Sequence, residues 1–162
     1  MAVTKGQIIF SVNGCKLPSS NYPIIDATGN RWRLLFDDST DESCQWQVRL
    51  PASYSSTPVA KIQYTMASAT SGDVYFNVYI MAVSDGDSQD VDTDSFDSAN
   101  SGHATVPGTA GYLDEISISL TNFDSGASGD LLIVKLERDA DNGSDDASGD
   151  AEVRSFSIEY NV

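Results

Sequence analysis

Two strand-like runs close the chain, and they constrain its fold more than any other feature. Residues 130–139 read DLLIVKLERD and residues 151–160 read AEVRSFSIEY, with a polar, acidic loop between them. The second run ends almost where the chain ends, and a terminal strand usually closes a sheet from inside. The pair therefore predicts an all-β domain in which the last strand is integral to the fold.

Period-two alternation recurs along the chain, whereas helical periodicity is nearly absent. Residues 44–50 alternate apolar with polar side chains, which is typical of a strand with one buried face. Residues 74–83 are apolar or aromatic on both faces except at Asn77, which indicates a central strand covered on both sides. About eight such strands predict an antiparallel two-sheet jelly-roll sandwich. The predicted strands are 7–12, 32–36, 44–50, 61–66, 74–83, 116–120, 131–136 and 153–160.

We expect a single domain with an N-terminal extension. A chain of 162 residues is long enough for one sizeable core and short for two. Residues 1–31 are predicted to form an N-terminal strand and an irregular arm, and residues 32–162 to form the jelly roll. Residues 84–102 form a long acidic loop whose one large apolar residue, Phe96, is its expected anchor to the body. Since it has little to bury, we expect this loop to be dispensable for folding.

The net charge of the chain disfavours some classes of binding partner. With 24 acidic and 9 basic residues, the formal net charge is −15. A surface this acidic repels phosphate backbones and anionic membranes, so we expect neither nucleic acid nor membrane as a partner. The first ten residues lack the apolar core of a signal peptide, so we expect synthesis and folding in a cytoplasm.

The apolar phase of the alternating runs predicts the core. Cys44 lies on that phase and is expected to be buried. Cys15 and Cys44 could pair, but a chain without a secretion signal favours reduced thiols, and their pairing stays open. The predicted core residues are Trp46, Val48, Ile62, Tyr64, Phe76, Val78, Ile118, Val134 and Ile158.

The sequence offers little for catalysis. Its one histidine, His103, follows Gly102 in a predicted loop, and no nucleophile-elbow signature accompanies it. Carboxylate pairs suited to glycoside hydrolysis arise by chance in a chain this acidic. We therefore expect no enzymatic activity and assign no catalytic residue.

Two Asp-rich loops carry oxygen ligands of the kind that calcium prefers. They are residues 90–94 (DVDTD) and residues 139–145 (DADNGSD). Neither matches the spacing of an EF-hand, and solvated acidic loops are the simpler explanation of both patterns. We expect no cofactor, leave calcium in these loops open, and assign no metal ligand. One histidine and two dispersed cysteines do not make a zinc site.

Two groups of aromatic residues are candidates for a binding surface. Tyr75 and Tyr79 share the second face of their strand, and Trp32 lies between Arg31 and Arg33. Either group provides a platform for a sugar or for a neighbouring protein. The alternative for the tyrosines is packing on the opposite sheet or under the N-terminal arm.

Several segments resemble a β-module common in structural proteins of tailed bacteriophages. They are residues 36–43 (FDDSTDES), 46–54 (WQVRLPASY), 66–74 (MASATSGDV) and 138–150 (RDADNGSDDASGD), the last followed by a strand. Together they cover about residues 34 to 160. The resemblance implies a jelly-roll domain of the kind found in virion decoration proteins and in tail or fibre modules, and it brings no catalytic residues.

On this resemblance we expect a capsid decoration (cement) protein on the outer capsid surface of a virion. Such a protein bridges neighbouring major capsid subunits, and its binding stabilises only the assembled shell. A homotrimer is expected, because cyclic symmetry suits the threefold positions of a shell. The predicted contact surface is residues 2–5 with Trp32. The alternative is a carbohydrate- or receptor-binding appendage of the head or tail.

Overall fold

The computed structural model describes residues 3–162, which form ten strands and one short 3-10 helix at Val12–Gly14. The all-β prediction is confirmed. Ala2, part of the expected N-terminal contact, lies outside the described residues. No helix within residues 3–162 is long and apolar enough to cross a membrane. The strands are β1 (Lys5–Phe10), β2 (Ile24–Asp26), β3 (Arg33–Phe36), β4 (Glu42–Arg49), β5 (Ser56–Met66), β6 (Asp73–Val83), β7 (Asn100–Thr105), β8 (Asp114–Ser119), β9 (Leu131–Arg138) and β10 (Ala151–Asn161).

The strands form two antiparallel sheets that bury a common core. The first sheet has the order β2-β3-β10-β5-β8, and β1 pairs with β10 beyond the end of β3. The second sheet has the order β4-β9-β6-β7. The predicted antiparallel two-sheet sandwich is therefore confirmed.

The C-terminal strand β10 lies inside the first sheet, as its sequence predicts. It pairs with β5 along nearly its whole length. Its other edge is shared, with Ala151 opposite Phe36 of β3 and Asn161 opposite Lys5 of β1. The backbone amide of Val162 donates to the carbonyl of Thr4 at 3.0 Å, which brings the two ends of the described chain side by side.

The inner faces of the two sheets form the core. Eight of the nine predicted core residues are buried, and Val48 is only partly buried, near the end of the edge strand β4. An aromatic cluster of Phe10, Trp46 and Phe156 joins the sheets, with ring centroids 4.9 to 5.7 Å apart. The indole nitrogen of Trp46 donates to the carbonyl of Ser11 at 2.8 Å, so the ring is buried with its polar atom satisfied.

The segment predicted as an irregular arm belongs to the sandwich. Lys16 and Gln45 form an isolated antiparallel bridge beside β4, with backbone hydrogen bonds of 2.7 and 3.0 Å. Leu17 packs against the core. Ile24 and Ile25 lie in β2, which pairs with β3. This segment is held because its backbone pairs with both sheets and the side chains of Leu17 and Ile25 pack against the core.

The acidic loop is shorter than predicted and packs on the body. It ends at Ala99, because Asn100 begins β7, so the predicted range 84–102 overlaps that strand. The sequence of β7, NSGHAT, lacks the apolar alternation that identifies strands. Phe96 contacts a small second cluster on the outer side of the four-stranded sheet, and the Phe96 anchor is confirmed. The members of that cluster are Met81, Val83, Val91, Phe96, Leu131 and Ile133.

Candidate functional site

The outward side of the four-stranded sheet carries two aromatic groups separated by a polar network. Tyr75 and Tyr79 point outward on β6 because Phe76 and Val78 fill the core from the same strand. Both tyrosines are partly exposed, so they do not pack on the opposite sheet. We call this surface the tyrosine face; it consists of Tyr75, Asn77, Tyr79, Ser101, His103, Lys135 and Glu137.

Tyr75 forms a stacked pair with His103 of β7. The ring centroids are 5.8 Å apart and the planes differ by 6°. The imidazole is exposed over 52% of its side chain, and its Nδ1 lies 3.0 Å from Oδ2 of Asp73. The hydroxyl of Thr105 and then the imidazole of His103 lower the pKa of Asp73 by hydrogen bonding. The carboxylate of Asp73, which stays ionised, thus orients the imidazole of the stacked pair.

Tyr79 is held by three neighbours. Its hydroxyl donates to Oε1 of Glu137 at 2.8 Å, and Nζ of Lys135 lies 3.9 Å from the ring centroid. Phe96 meets the ring edge-on at 6.4 Å. Burial, together with the negative charge of Glu137, raises the pKa of Tyr79, so the phenol stays neutral and keeps donating.

Asn77 connects the two aromatic groups. Its side-chain nitrogen donates to Asp139 at 3.0 Å and to Glu137 at 3.3 Å, and its oxygen accepts from the hydroxyl of Ser101 at 2.6 Å. Tyr75 and Tyr79 are four residues apart on one strand, which is about 13 Å. The two aromatic groups are thus joined by a network in which Asn77 is buried and its side-chain atoms are hydrogen-bonded within the protein.

The tyrosine face was only half predicted. The sequence indicated Tyr75 and Tyr79, and it marked Asn77 as the polar exception on its strand. It placed His103 in a loop, because β7 carries no strand signal. Lys135 has the outward phase of β9, but which strand lies beside Tyr79 is set by sheet order rather than by local pattern.

The second predicted group, around Trp32, lies on a different part of the molecule and does not act as a unit. Trp32 is 51% exposed in the turn between β2 and β3 of the larger sheet, and Arg31 is exposed beside it. Arg33 is instead paired with Asp26 at 2.7 Å and with Glu152 at 2.9 Å. Only Trp32 and Arg31 of this group are free to contact a partner.

The aspartates of the two Asp-rich loops have different environments in the structure. In residues 139–145, Asp145 is bound by the buried guanidinium of Arg138 at 2.8 and 3.0 Å. Asp139 and Asp141 approach Asp41 instead, with carboxylate oxygens within 4.8 Å of one another. Asp41 comes from the β3–β4 loop, so no local motif includes it. Calcium binding at these carboxylates stays a prediction.

The first Asp-rich segment, residues 90–94, is organised by a local turn. The side chain of Asp90 accepts the backbone amide of Asp92 at 3.0 Å, and its carbonyl accepts the amides of Thr93 and Asp94. Such a turn is a common structural use of aspartate. It accounts for Asp90 without a metal ion.

The two cysteines are neighbours on the inner side of the edge of β4. Cys44 is buried, Cys15 is partly exposed, and both are free thiols. The bridge between Lys16 and Gln45 places them on the same side of the backbone. A hydrogen bond from Cys44 lowers the pKa of Cys15, whereas the same interaction and burial raise the pKa of Cys44.

Comparison with known proteins extends the description of the fold. No family model matches the chain, and no curated protein matches it. A solved family 35 carbohydrate binding module from Clostridium thermocellum is 11% identical, with a TM-score of 0.50 over 94% of this chain and 97% of that one. A family 35 module from an environmental isolate is 13% identical, with a TM-score of 0.52 over 92% and 91% of the two chains. The likeness shows a jelly-roll module. At this identity it shows the fold alone, and it contains nothing specific to bacteriophages.

Proposed function

We propose that this protein is a non-catalytic carbohydrate-binding module whose tyrosine face binds an oligosaccharide. The observation that carries the proposal is the pairing of two partly exposed aromatic groups on one strand with a polar network between them. The two solved structures named above, both described as carbohydrate binding modules, support the same class of ligand. This proposal takes up the alternative considered from the sequence and gives it precedence over capsid decoration.

The chemistry of the face suits a neutral glycan. A sugar ring presents an apolar face that packs on an aromatic ring, and hydroxyl groups around its rim. The carboxylates of Glu137 and Asp139 accept hydrogen bonds from hydroxyl groups, and Lys135 donates them. The spacing of Tyr75 and Tyr79 fits a ligand longer than one sugar residue. Since the chain carries a net charge of −15, anionic glycans are disfavoured.

The test is retention of the purified protein by polysaccharides, measured by affinity electrophoresis and on a glycan array. We expect wild type to bind at least one neutral polysaccharide. Tyr75→Ala should weaken that binding roughly tenfold, since it removes an aromatic stacking partner. Tyr75 is partly exposed, so the variant should keep the wild-type melting temperature within a few degrees.

Trp32→Ala is the matched control, because it removes an exposed aromatic residue from the other sheet. It should leave glycan binding unchanged. Equal loss in the Trp32 and Tyr75 variants would locate binding away from the tyrosine face. Failure of wild type to bind any glycan on the array would refute the proposed function.

A second candidate is docking on a protein surface through the β2–β3 turn. The exposure of Trp32 beside Arg31 supports it, because tryptophan and arginine are favoured interface anchors. The expected partner is a major capsid protein, with a homotrimer on the outer surface of a virion. Hundreds of copies per purified virion, and loss of capsid binding in Trp32→Ala, would favour this candidate. A few copies per particle would eliminate the decoration hypothesis.

A further inference from the structure

We infer that a recess between the N-terminal segment and the β3–β4 loop is a second sugar-binding site, separate from the tyrosine face. The recess is an open surface depression with a volume of about 510 Å³. The residues that line it are Ser19, Ser20, Asn21, Tyr22, Asp37, Thr40 and Glu42. The inference shares its ligand class with the proposed function but concerns a different place in the fold.

The residues that line the recess favour one chemical class of ligand. Tyr22 is the one aromatic residue in the lining and is 43% exposed, so its ring can pack on an apolar face of a ligand. Exposed hydroxyl groups of Ser19, Ser20 and Thr40 surround it. Two carboxylates and no basic side chain line the recess, which disfavours phosphates and uronates. A single neutral sugar residue, apolar on one face and hydroxylated at its rim, meets these conditions.

The walls of the recess are fixed before any ligand binds. The backbone amide of Ser43 donates to the carbonyl of Asn21 at 3.0 Å, which ties the N-terminal segment to β4. Glu42 accepts the backbone amide of Asp37 at 2.8 Å, which ties the β3–β4 loop to the same strand. A preformed site binds with less loss of conformational entropy than a flexible one.

One wall of the recess turns at Asn21, which has a φ of 54°. Asparagine tolerates this left-handed conformation, and Tyr22 follows the turn directly. Oε2 of Glu42 accepts the backbone amide of Asp37, which leaves Oε1 to accept from a ligand hydroxyl. Burial raises the pKa of Glu42.

The other large depression on the surface lacks an exposed aromatic ring. It lies beside the acidic loop, has a volume of about 410 Å³, and contains no aromatic residue among those that line it. Its carboxylates already bind the chain: Asp124 accepts the amide of Ala82 at 2.9 Å, and Asp130 accepts the hydroxyl of Ser84 at 2.9 Å. Carboxylates in both depressions are thus partly used by the chain, since Asp37 in the recess accepts the backbone amide of Ser39 at 2.7 Å. The exposed ring of Tyr22 is what distinguishes the recess.

The experiment is an amide NMR titration of the full chain with glucose, galactose, mannose and xylose, and with glucuronate as the anionic counterpart. We expect at least one neutral sugar to shift the amides of residues 19–22 and 37–42, and glucuronate to shift them less. Tyr22→Ala should weaken binding of that sugar roughly tenfold, because the packing of the sugar on the ring is lost. The matched control is Tyr112→Ala, which removes a tyrosine that is 64% exposed and lies outside the recess.

The outcomes separate this inference from the proposed function. If no neutral sugar shifts the two segments, or if Tyr22→Ala binds like wild type, the recess is not a sugar site. If Tyr75→Ala loses polysaccharide binding but keeps the recess shifts, both sites hold and are independent. If Tyr22→Ala loses polysaccharide binding and Tyr75→Ala keeps it, the recess inference stands and the tyrosine face is wrong.

Discussion

Arg138 is the residue on which the acidic loop after β9 depends. Its guanidinium is fully buried and donates to the carbonyls of Phe36, Ala147 and Gly149 at 2.9 to 3.1 Å, besides binding Asp145. One side chain thereby satisfies the backbone of a loop that has little apolar surface of its own. The sequence shows an acidic loop here, but it does not reveal which aspartate is buried. Asp145 is buried because Arg138, at the end of β9, binds its carboxylate.

The first prediction compares two aspartates of this loop. Asp145→Asn should lower the free energy of unfolding by about 3–5 kcal/mol, because it leaves a buried guanidinium without its counter-charge. Asp141→Asn should cost nothing or stabilise slightly, since repulsion by Asp41 raises the pKa of Asp141. Urea denaturation of both variants measures the difference. Equal effects of the two substitutions would contradict the role given to Arg138.

The second prediction concerns acid stability. Hydrogen bonds from Thr28, and then from Arg33, lower the pKa of Asp26 to about 2, below its ordinary value of 3.8. A carboxyl whose pKa is lower in the folded state adds stability above its ordinary pKa and loses it as pH falls towards 2. The difference in unfolding free energy between wild type and Asp26→Asn should therefore shrink as the pH is lowered from 5 to 2. A difference that stays constant over that interval would show that the ionised form of Asp26 is not favoured.

At the level of elements, strand β7 is a strand that local sequence pattern does not predict. Its sequence has no apolar alternation, yet it forms an edge strand because β6 offers a full ladder from Asp73 to Val78. Gly102 is suited to this position, since a Cβ there would lie 2.7 Å from Ile118 of the other sheet. Pairing and close approach, rather than propensity, make this segment a strand. His103 enters the tyrosine face for the same reason.

The third prediction reverses the expectation that the acidic loop is dispensable. Replacing residues 85–98 with a short turn recovers about 1 kcal/mol of loop-closure entropy. It also removes Phe96 and Val91 from the second cluster; full burial of a phenylalanine contributes about 1.5–3 kcal/mol, and these two partly buried side chains together are expected to exceed the entropy recovered. We expect a net loss of stability in thermal unfolding. Phe96→Ala in the intact loop should reproduce most of it, and a replacement as stable as wild type would show that the cluster contributes little.

At the scale of the whole molecule, the fold was predictable, whereas only the β6 residues of the candidate site were. Alternation is repeated in strand after strand, and the runs together indicate an antiparallel sandwich. The tyrosine face combines β6, β7 and β9, which are far apart in sequence, and only the order of strands in the sheet brings them together. The recess at Tyr22 likewise depends on a segment that has almost no periodic signal.

The fourth prediction tests the assignment of faces in the core. Phe76 is fully buried between Phe36 and Tyr64, so Phe76→Ala should lower the free energy of unfolding by about 3–5 kcal/mol. Val48 is only partly buried, so Val48→Ala should cost about 1 kcal/mol or less. Chemical denaturation followed by far-ultraviolet circular dichroism measures both. A larger loss at Val48 than at Phe76 would invert the assignment.

The pairing of the first and last strands also determines how the molecule responds to force. Because Thr4 and Val162 are joined by a hydrogen bond, a pull on the two ends loads that pair first and then the pair of Lys5 and Asn161. The ladder between β1 and β10 then opens one rung at a time, which requires less force than shearing all the rungs together. Release of β1 in a molecule tethered through both ends would also withdraw Phe10 from the aromatic cluster that joins the two sheets.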